Sequence, residues 1–232
     1  MLRDSFMKNN LKIVANTNHS YDWGTGNEAD SIRTLTSQEM TVSVKQVLKG
    51  RNLEEGIWVF GYGSLMWNPD FKFVEKISGE IKGYHRSLCL KSIVYRGSPD
   101  YHGIVFGLDK GDSCQGMAFR IAPENMGTEL QKVWEREMFA ETYIPTWVSV
   151  RTETGSVSAI TFVINPTHEH YLPNPDMEAI AKRVVRAEGK CGSCLDYVQN
   201  TVNFLHQLEL RDSSLEQLLI LIESNKNSVN SN

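Results

Sequence analysis

No hydrophobic run in this chain of 232 residues approaches the ~20 apolar residues that a membrane-spanning helix needs, so no membrane partner is expected. The first residues, Met1-Leu2-Arg3-Asp4-Ser5-Phe6-Met7-Lys8, lack the apolar core of a secretory signal, and a cytoplasmic location is the expectation. Excess positive charge is also missing. Asp and Glu number 28 against 24 Lys and Arg, a net charge of −4 at pH 7, which speaks against nucleic acid as a partner. Cysteine is sparse, at 4. Cys191-Gly192-Ser193-Cys194 is a lone C-x-x-C pair, and a structural zinc site would need two further ligands. The pair lies between two helical patterns, not at the strand-to-helix step of a redox motif. Cys89 and Cys114 stand singly in expected strands, and all four read as incidental apolar thiols. His85, His102, His168 and His170 show no ligand spacing beyond His168-x-His170, which falls in an expected loop and reads as solvated. No metal and no cofactor are expected.

Three familiar motifs fail around one conspicuous stretch, Trp58-Val59-Phe60-Gly61-Tyr62-Gly63-Ser64-Leu65-Met66-Trp67. A dinucleotide fingerprint needs a third glycine where Met66 stands. A P-loop needs Gly-Lys-Ser/Thr, which is absent. A nucleophile elbow needs glycines at the positions of Tyr62 and Met66, so Ser64 is not that kind of nucleophile.

What remains is an apolar run that reads as a short buried strand and ends in Gly-Tyr-Gly-Ser. Two glycines one residue apart let the backbone turn sharply and present consecutive N–H groups. Such a concave row of donors holds a carboxylate or a developing oxyanion. From the glycines alone a tight strand-to-helix turn with no chemistry is the favoured reading, since glycine is the default residue of any sharp turn.

A second feature is a helical pattern opened by Pro123, a residue favoured at a first helical position. Leu130, Val133, Trp134 and Met138 mark one buried stripe. Glu137 lies on that stripe, while Glu135 and Arg136 are expected to point elsewhere. A carboxylate on a buried face is costly unless paired or functional. Burial raises its pKa, which suits a general acid/base near neutral pH. Pairing with an arginine, or a place at the stripe's edge, fits the pattern too.

The residues also carry a resemblance. Val59-Phe60-Gly61-Tyr62-Gly63-Ser64-Leu65-Met66-Trp67-Asn68-Pro69 resembles the signature of the ChaC family of γ-glutamylcyclotransferases. Collinear matches follow at Gly83-Tyr84-His85-Arg86, Arg96-Gly97, Gly116-Met117-Ala118-Phe119-Arg120, Trp134-Glu135-Arg136-Glu137-Met138 and Tyr143-Ile144-Pro145-Thr146-Trp147. The likeness runs from about residue 58 to about 208. It departs from the family at Ser98-Pro99-Asp100-Tyr101-His102-Gly103-Ile104, where relatives are Pro-Gly-rich. It departs again before Tyr197, which takes the place of the aromatic of the family's penultimate helix.

The resemblance implies cleavage of glutathione to 5-oxoproline and cysteinylglycine, with Glu137 as the catalytic glutamate. It implies a substrate-binding turn at Tyr62 to Leu65, and Gly61 to Met66 are the candidate binding residues, with Tyr143 beside them. Tyr143 could hydrogen-bond substrate or serve as a core tyrosine. Arg86 and Arg96 could hold the glycine carboxylate of glutathione, pair with Glu137, or be structural. The chemistry asks for a cavity that folds the substrate, donors for the oxyanion and one base, and requires no metal, nucleotide or covalent intermediate. The alternatives are a cyclotransferase for another γ-glutamyl amine or peptide, and a non-catalytic module that binds a small carboxylate. Oligomeric state is open.

At 41% hydrophobic residues, one domain with a sizeable core is expected. Residues 1–56 read as an extension: a polar arm over 1–30, then a short helix begun by the capping box Thr36-Ser37-Gln38-Glu39 and ending at Gly50. This helix could pack on the domain or mediate association. The catalytic domain is expected over 57–224, with a disordered tail over 225–232. Strands are expected at 58–62, 79–90, 104–108 and 115–121, the last two joined by a hairpin at Asp109-Lys110-Gly111-Asp112. A further hairpin spans 146–152 and 156–164. Helices follow through Met177 to Val184, through Leu195 to Leu205 behind a Ser193 cap, and behind a Ser214-x-x-Gln217 box. Many short strands around one helix predict an α+β fold with a small, closed mixed sheet, and the resemblance implies the same, a compact β-barrel flanked by helices.

Overall fold

The computed structural model of the chain describes residues 33–229, and the arm expected over 1–30 lies outside them. Thr36 closes the expected capping box: its Oγ1 accepts from the Glu39 amide at 3.2 Å, and the Glu39 carboxylate accepts from the Thr36 amide at 2.8 Å. This starts helix α1, Ser37–Leu48. The helix belongs to the domain's own packing. Met40 is fully buried, the Trp134 indole donates to Ser43 Oγ at 3.1 Å, and the Trp147 indole donates to the Val47 carbonyl at 2.8 Å.

Five strands follow: β1 (Ile57–Gly61), β2 (Glu75–Ser92), β3 (Gly103–Ile121), β4 (Tyr143–Thr152) and β5 (Gly155–Ile164). They close into a barrel in the order β1-β3-β2-β4-β5. β5 runs parallel to β1, and the other neighbours are antiparallel. β2 meets β4 through the single pair Glu80↔Arg151, which completes the closure, and the fold is the expected α+β barrel.

The expected hairpin at Asp109 to Asp112 is absent. β3 runs straight through it as one strand, because β2 is long enough to pair along its whole length. The turn-like tetrapeptide forms a bulge instead: the register steps from Lys82↔Ser113 to Tyr84↔Lys110, so Gly83, at φ 86°, faces two residues of β3. A bulge bends a strand without ending it and draws on the same glycine-rich residues as a turn.

A 3₁₀ turn over Pro123–Asn125 leads into α3, Met126–Glu137, after a short α2, Ser64–Trp67, that follows β1. Trp134 seats α3 on the barrel; it is fully buried, edge-on to Phe162 with ring centroids 5.3 Å apart. Rings of this kind each stabilise by roughly 1.5–3 kcal/mol through burial.

Helix α4, Met177–Arg186, is capped by Asp176, and α5, Cys194–Gln207, by Ser193 as expected. Between them a small hairpin, β6 (Glu188–Gly189) and β7 (Gly192–Ser193), carries Cys191 in its turn.

The last helix, α6, covers Ser213–Val229. Its cap is Asp212, whose Oδ1 accepts from the Leu215 amide at 3.3 Å, and not the expected Ser214, which lies inside the first turn. α6 also passes the expected boundary at 224. Asn225 there donates to Glu178 of α4 at 3.4 Å and to the Leu221 carbonyl at 2.9 Å, so packing against α4 extends a helix that composition alone would let fray. Residues 230–232 lie outside the described chain.

Candidate active site

β1 delivers the chain to the glycine turn, and α2 starts immediately after it. A Cβ on Gly61 would meet Leu65 Cβ at 2.7 Å, so only glycine lets the strand end so close to the helix. Arg86, on β2, fixes the turn from beneath. Its Nε donates to the Tyr62 carbonyl at 2.5 Å, and its other nitrogens reach the Gln115 carbonyl at 2.6 Å and Asp212 Oδ2 at 2.7 Å. The Arg86 side chain is 2% exposed, which makes its role structural. The Tyr62 hydroxyl donates inward to the Phe162 carbonyl at 2.8 Å, and Leu65 and Met66 are buried in the core. Of the residues Gly61 to Met66, Ser64 alone lines the adjoining cavity. Gly61, Tyr62, Gly63, Leu65 and Met66 form the turn's backbone and its underside.

The cavity holds about 280 Å³, and its wall includes Ser64, Arg96, Arg136, Glu137, Tyr143 and Tyr197. Glu137 is the last residue of α3, and its side chain is only 15% exposed. Burial pushes its carboxyl above the ordinary value, and the neighbouring Arg136 guanidinium, with Nε 3.1 Å from Oε1, pulls partly back. A second acid on the same helix, Glu129, is 3% exposed and behaves in the opposite way. Burial raises it too, but Lys132 at 2.8 Å and the Lys72 amide at 2.9 Å hold its carboxyl below the ordinary value. Glu129 is a structural tie; Glu137 keeps a carboxyl raised by burial at the cavity wall.

Arg136 was expected to point away from the stripe, yet it lines the cavity. α3 ends at Glu137, so no further turn blocks the long side chain from reaching across to the glycine turn. Besides Glu137 it contacts Ser64 Oγ at 2.9 Å and the Asn68 carbonyl at 2.6 Å. One guanidinium therefore ties the carboxylate to the turn. Helical spacing carries no signal for this, because the partner lies on another element.

Tyr143, the first residue of β4, and Tyr197, on α5, bracket the Phe106 backbone. The Tyr143 hydroxyl donates to the Phe106 carbonyl at 2.9 Å, and the Phe106 amide donates to the Tyr197 hydroxyl at 3.2 Å. Burial pushes both hydroxyls well above their ordinary value, which keeps them protonated. Tyr143 is thus a cavity residue and a core anchor together.

His170 also lines the cavity. It is 6% exposed, not solvated as expected, since its loop folds over the barrel: its amide donates to His168 Nδ1 at 3.1 Å and its carbonyl accepts from Lys91 at 2.9 Å. The thiol Cys191 is part of the wall, while buried Cys194 donates to the Ile104 carbonyl at 3.0 Å. Among the described residues, no group of three or more His, Cys, Asp and Glu could hold a metal ion, and no helix is long and apolar enough to cross a membrane.

A closed five-stranded barrel flanked by helices is the fold of a γ-glutamylcyclotransferase-like domain. A solved yeast structure described as a γ-glutamyl cyclotransferase specific to glutathione shares this fold, with a TM-score of 0.68 at 20% identity over 74% of this chain and 97% of that one. The family model for ChaC-like protein matches residues 57–225, and this chain belongs to that family. An Escherichia coli relative, named glutathione-specific γ-glutamylcyclotransferase, is 33% identical over 189 residues, covering 81% of this chain and 82% of its own. A human relative, glutathione-specific γ-glutamylcyclotransferase 1, is 29% identical over 175 residues, covering 73% and 78%. Helix α1 lies ahead of the region that the family model matches.

Proposed function

We propose that this chain is a glutathione-specific γ-glutamylcyclotransferase that releases 5-oxoproline and cysteinylglycine. The carrying observation is Glu137: a carboxylate 15% exposed in the wall of a cavity that Ser64 of the glycine turn also lines. The relatives' names supply the substrate, and the site supplies parts that fit it. Bound glutathione presents its α-ammonium to Glu137, which takes a proton. The freed amine attacks the γ-carbonyl of the same molecule, where ring closure gains from a high effective molarity. Charge develops on the carbonyl oxygen, and the first amides of α2 are suited to receive it, since helix-start N–H groups have no partner within the helix. Glu137 then returns its proton to the departing cysteinylglycine nitrogen. As the intermediate collapses, the surplus proton on the ring nitrogen passes through the Glu137 carboxylate to the departing amine, leaving a neutral lactam, cysteinylglycine as its ammonium, and Glu137 ionised as at the start.

The burial that raises the Glu137 carboxyl brings it closer to the substrate ammonium in proton affinity, which eases transfer in both directions. Arg136 holds the same carboxylate in line with the turn. We also place the enzyme in the cytoplasm: its four cysteines are all free thiols, which suits a reducing compartment.

The test is incubation of the full chain with reduced glutathione, following 5-oxoproline and cysteinylglycine by mass spectrometry, beside Glu137→Gln. Turnover should fall by about a hundred- to ten-thousand-fold in the variant, the range a positioned acid/base supplies, with the fold retained. Wild-type turnover in Glu137→Gln would overturn the mechanism. No product from either protein, with binding intact, would overturn the activity.

A further inference from the structure

Glutathione carries two carboxylates, and the one on glycine lies a residue further from the scissile bond than the terminal carboxylate of a γ-glutamyl amino acid. The cavity wall contains two arginines, Arg96 and Arg136. Arg136 is committed to Glu137, Ser64 and Asn68. Arg86, the other sequence candidate, is buried beneath the turn and bonded to three oxygens. Arg96 alone among these has no carboxylate partner within the described residues: its guanidinium meets only the Ser193 carbonyl, at 3.2 Å, and the face of Tyr197, 5.3 Å from the ring centroid.

Those two contacts fix the plane of the guanidinium while leaving further N–H groups to donate. The backbone is fixed as well. The Arg96 amide donates to Ser92 Oγ at 3.0 Å, and the β6–β7 hairpin clamps the preceding loop through Lys190 to Val94 at 2.8 Å and Cys191 to Tyr95 at 2.9 Å. An arginine so held has a planar fork ready for a carboxylate at little further entropic cost. Glu137, Tyr197 and Arg96 all line this one cavity, with the guanidinium over the Tyr197 ring.

We infer that Arg96 binds the glycine carboxylate of glutathione and so makes the enzyme selective for the tripeptide, an inference that rests on the cyclotransferase reading above. The experiment compares wild type and Arg96→Gln on two substrates: reduced glutathione, and its amide at the glycine carboxyl, which keeps the shape and removes the charge. Wild type should favour glutathione by about 10- to 100-fold in kcat/KM, the worth of a charge-assisted fork. In Arg96→Gln that preference should vanish, through a raised KM for glutathione with kcat nearly unchanged and the amide's rate within about twofold of wild type.

Equal losses on both substrates would mark Arg96 as merely structural, and an unchanged preference would remove it from the site; either overturns the inference. Should Arg96→Gln fail to fold, Arg96→Lys keeps the charge without the fork and should lose part of the preference. Should wild type turn over neither substrate, the cyclotransferase reading itself falls. Calorimetric binding of the same two compounds to wild type and variant then decides Arg96 separately, with tighter binding of glutathione than of its amide in wild type alone as the supporting result.

Discussion

Replacing Arg86, which does not itself line the cavity, with leucine should destabilise the protein by about 4 kcal/mol. The Arg86 side chain is 2% exposed and pairs with Asp212, itself 22% exposed. It also satisfies two buried carbonyls, Tyr62 and Gln115. Removing one partner of a buried ion pair costs about 3–5 kcal/mol, because the other charge is left without compensation. Asp212 reaches solvent, which moves the pair toward the lower end, since water can replace the lost partner. The two carbonyls add a further penalty of about 1 kcal/mol, each keeping a second lone pair to satisfy. For a chain of this size, each kcal/mol moves the melting temperature by about 2–4 °C, so Arg86→Leu should melt about 8–16 °C lower. Asp212→Asn keeps the α6 cap and the acceptor, and should cost only about 1–2 kcal/mol. Urea unfolding of the three proteins, followed by tryptophan fluorescence, reads both values. A loss under 1 kcal/mol for Arg86→Leu would refute the claim that this side chain pins the glycine turn to β2 and α6.

Two other perturbations probe the base and the added helix. In the proposed mechanism Glu137 works as the carboxylate, so the rate should fall as pH drops through its pKa, which burial has raised. Arg136 opposes that rise, so Arg136→Gln should move the acid limb of kcat/KM to higher pH, and an unmoved or lowered limb would show that the guanidinium does not tune the base. Met40 is fully buried, and Met40→Ala should cost about 2–4 kcal/mol in thermal or urea unfolding; a change within 0.5 kcal/mol, the range of a surface substitution, would mean that α1 docks too loosely to count as part of the domain.

Much of this was legible in the sequence because the cues are local. The Thr36 box, the Ser193 cap and the hairpin turn between β4 and β5 each depend on residues within a few positions, and each formed where expected. The illegible parts depend on a partner elsewhere. Asp109 to Asp112 has the composition of a turn, and only the length of β2 decides that it bulges. Asp212 displaces Ser214 as the cap of α6, with its other oxygen held by Arg86.

The site makes the sharpest case. Glu129 and Glu137 both lie on the enclosed side of α3, and helical periodicity gives no physical ground for preferring one as the base. The difference is in what surrounds them. Glu129 meets an ammonium and a backbone amide that hold it ionised, so it has no reason to take a proton from anything. Glu137 meets a single guanidinium that is shared with Ser64 and Asn68, and burial prevails. An enclosed acid that its neighbours leave short of stabilisation, and that borders a cavity, is the one suited to the acid/base role proposed above.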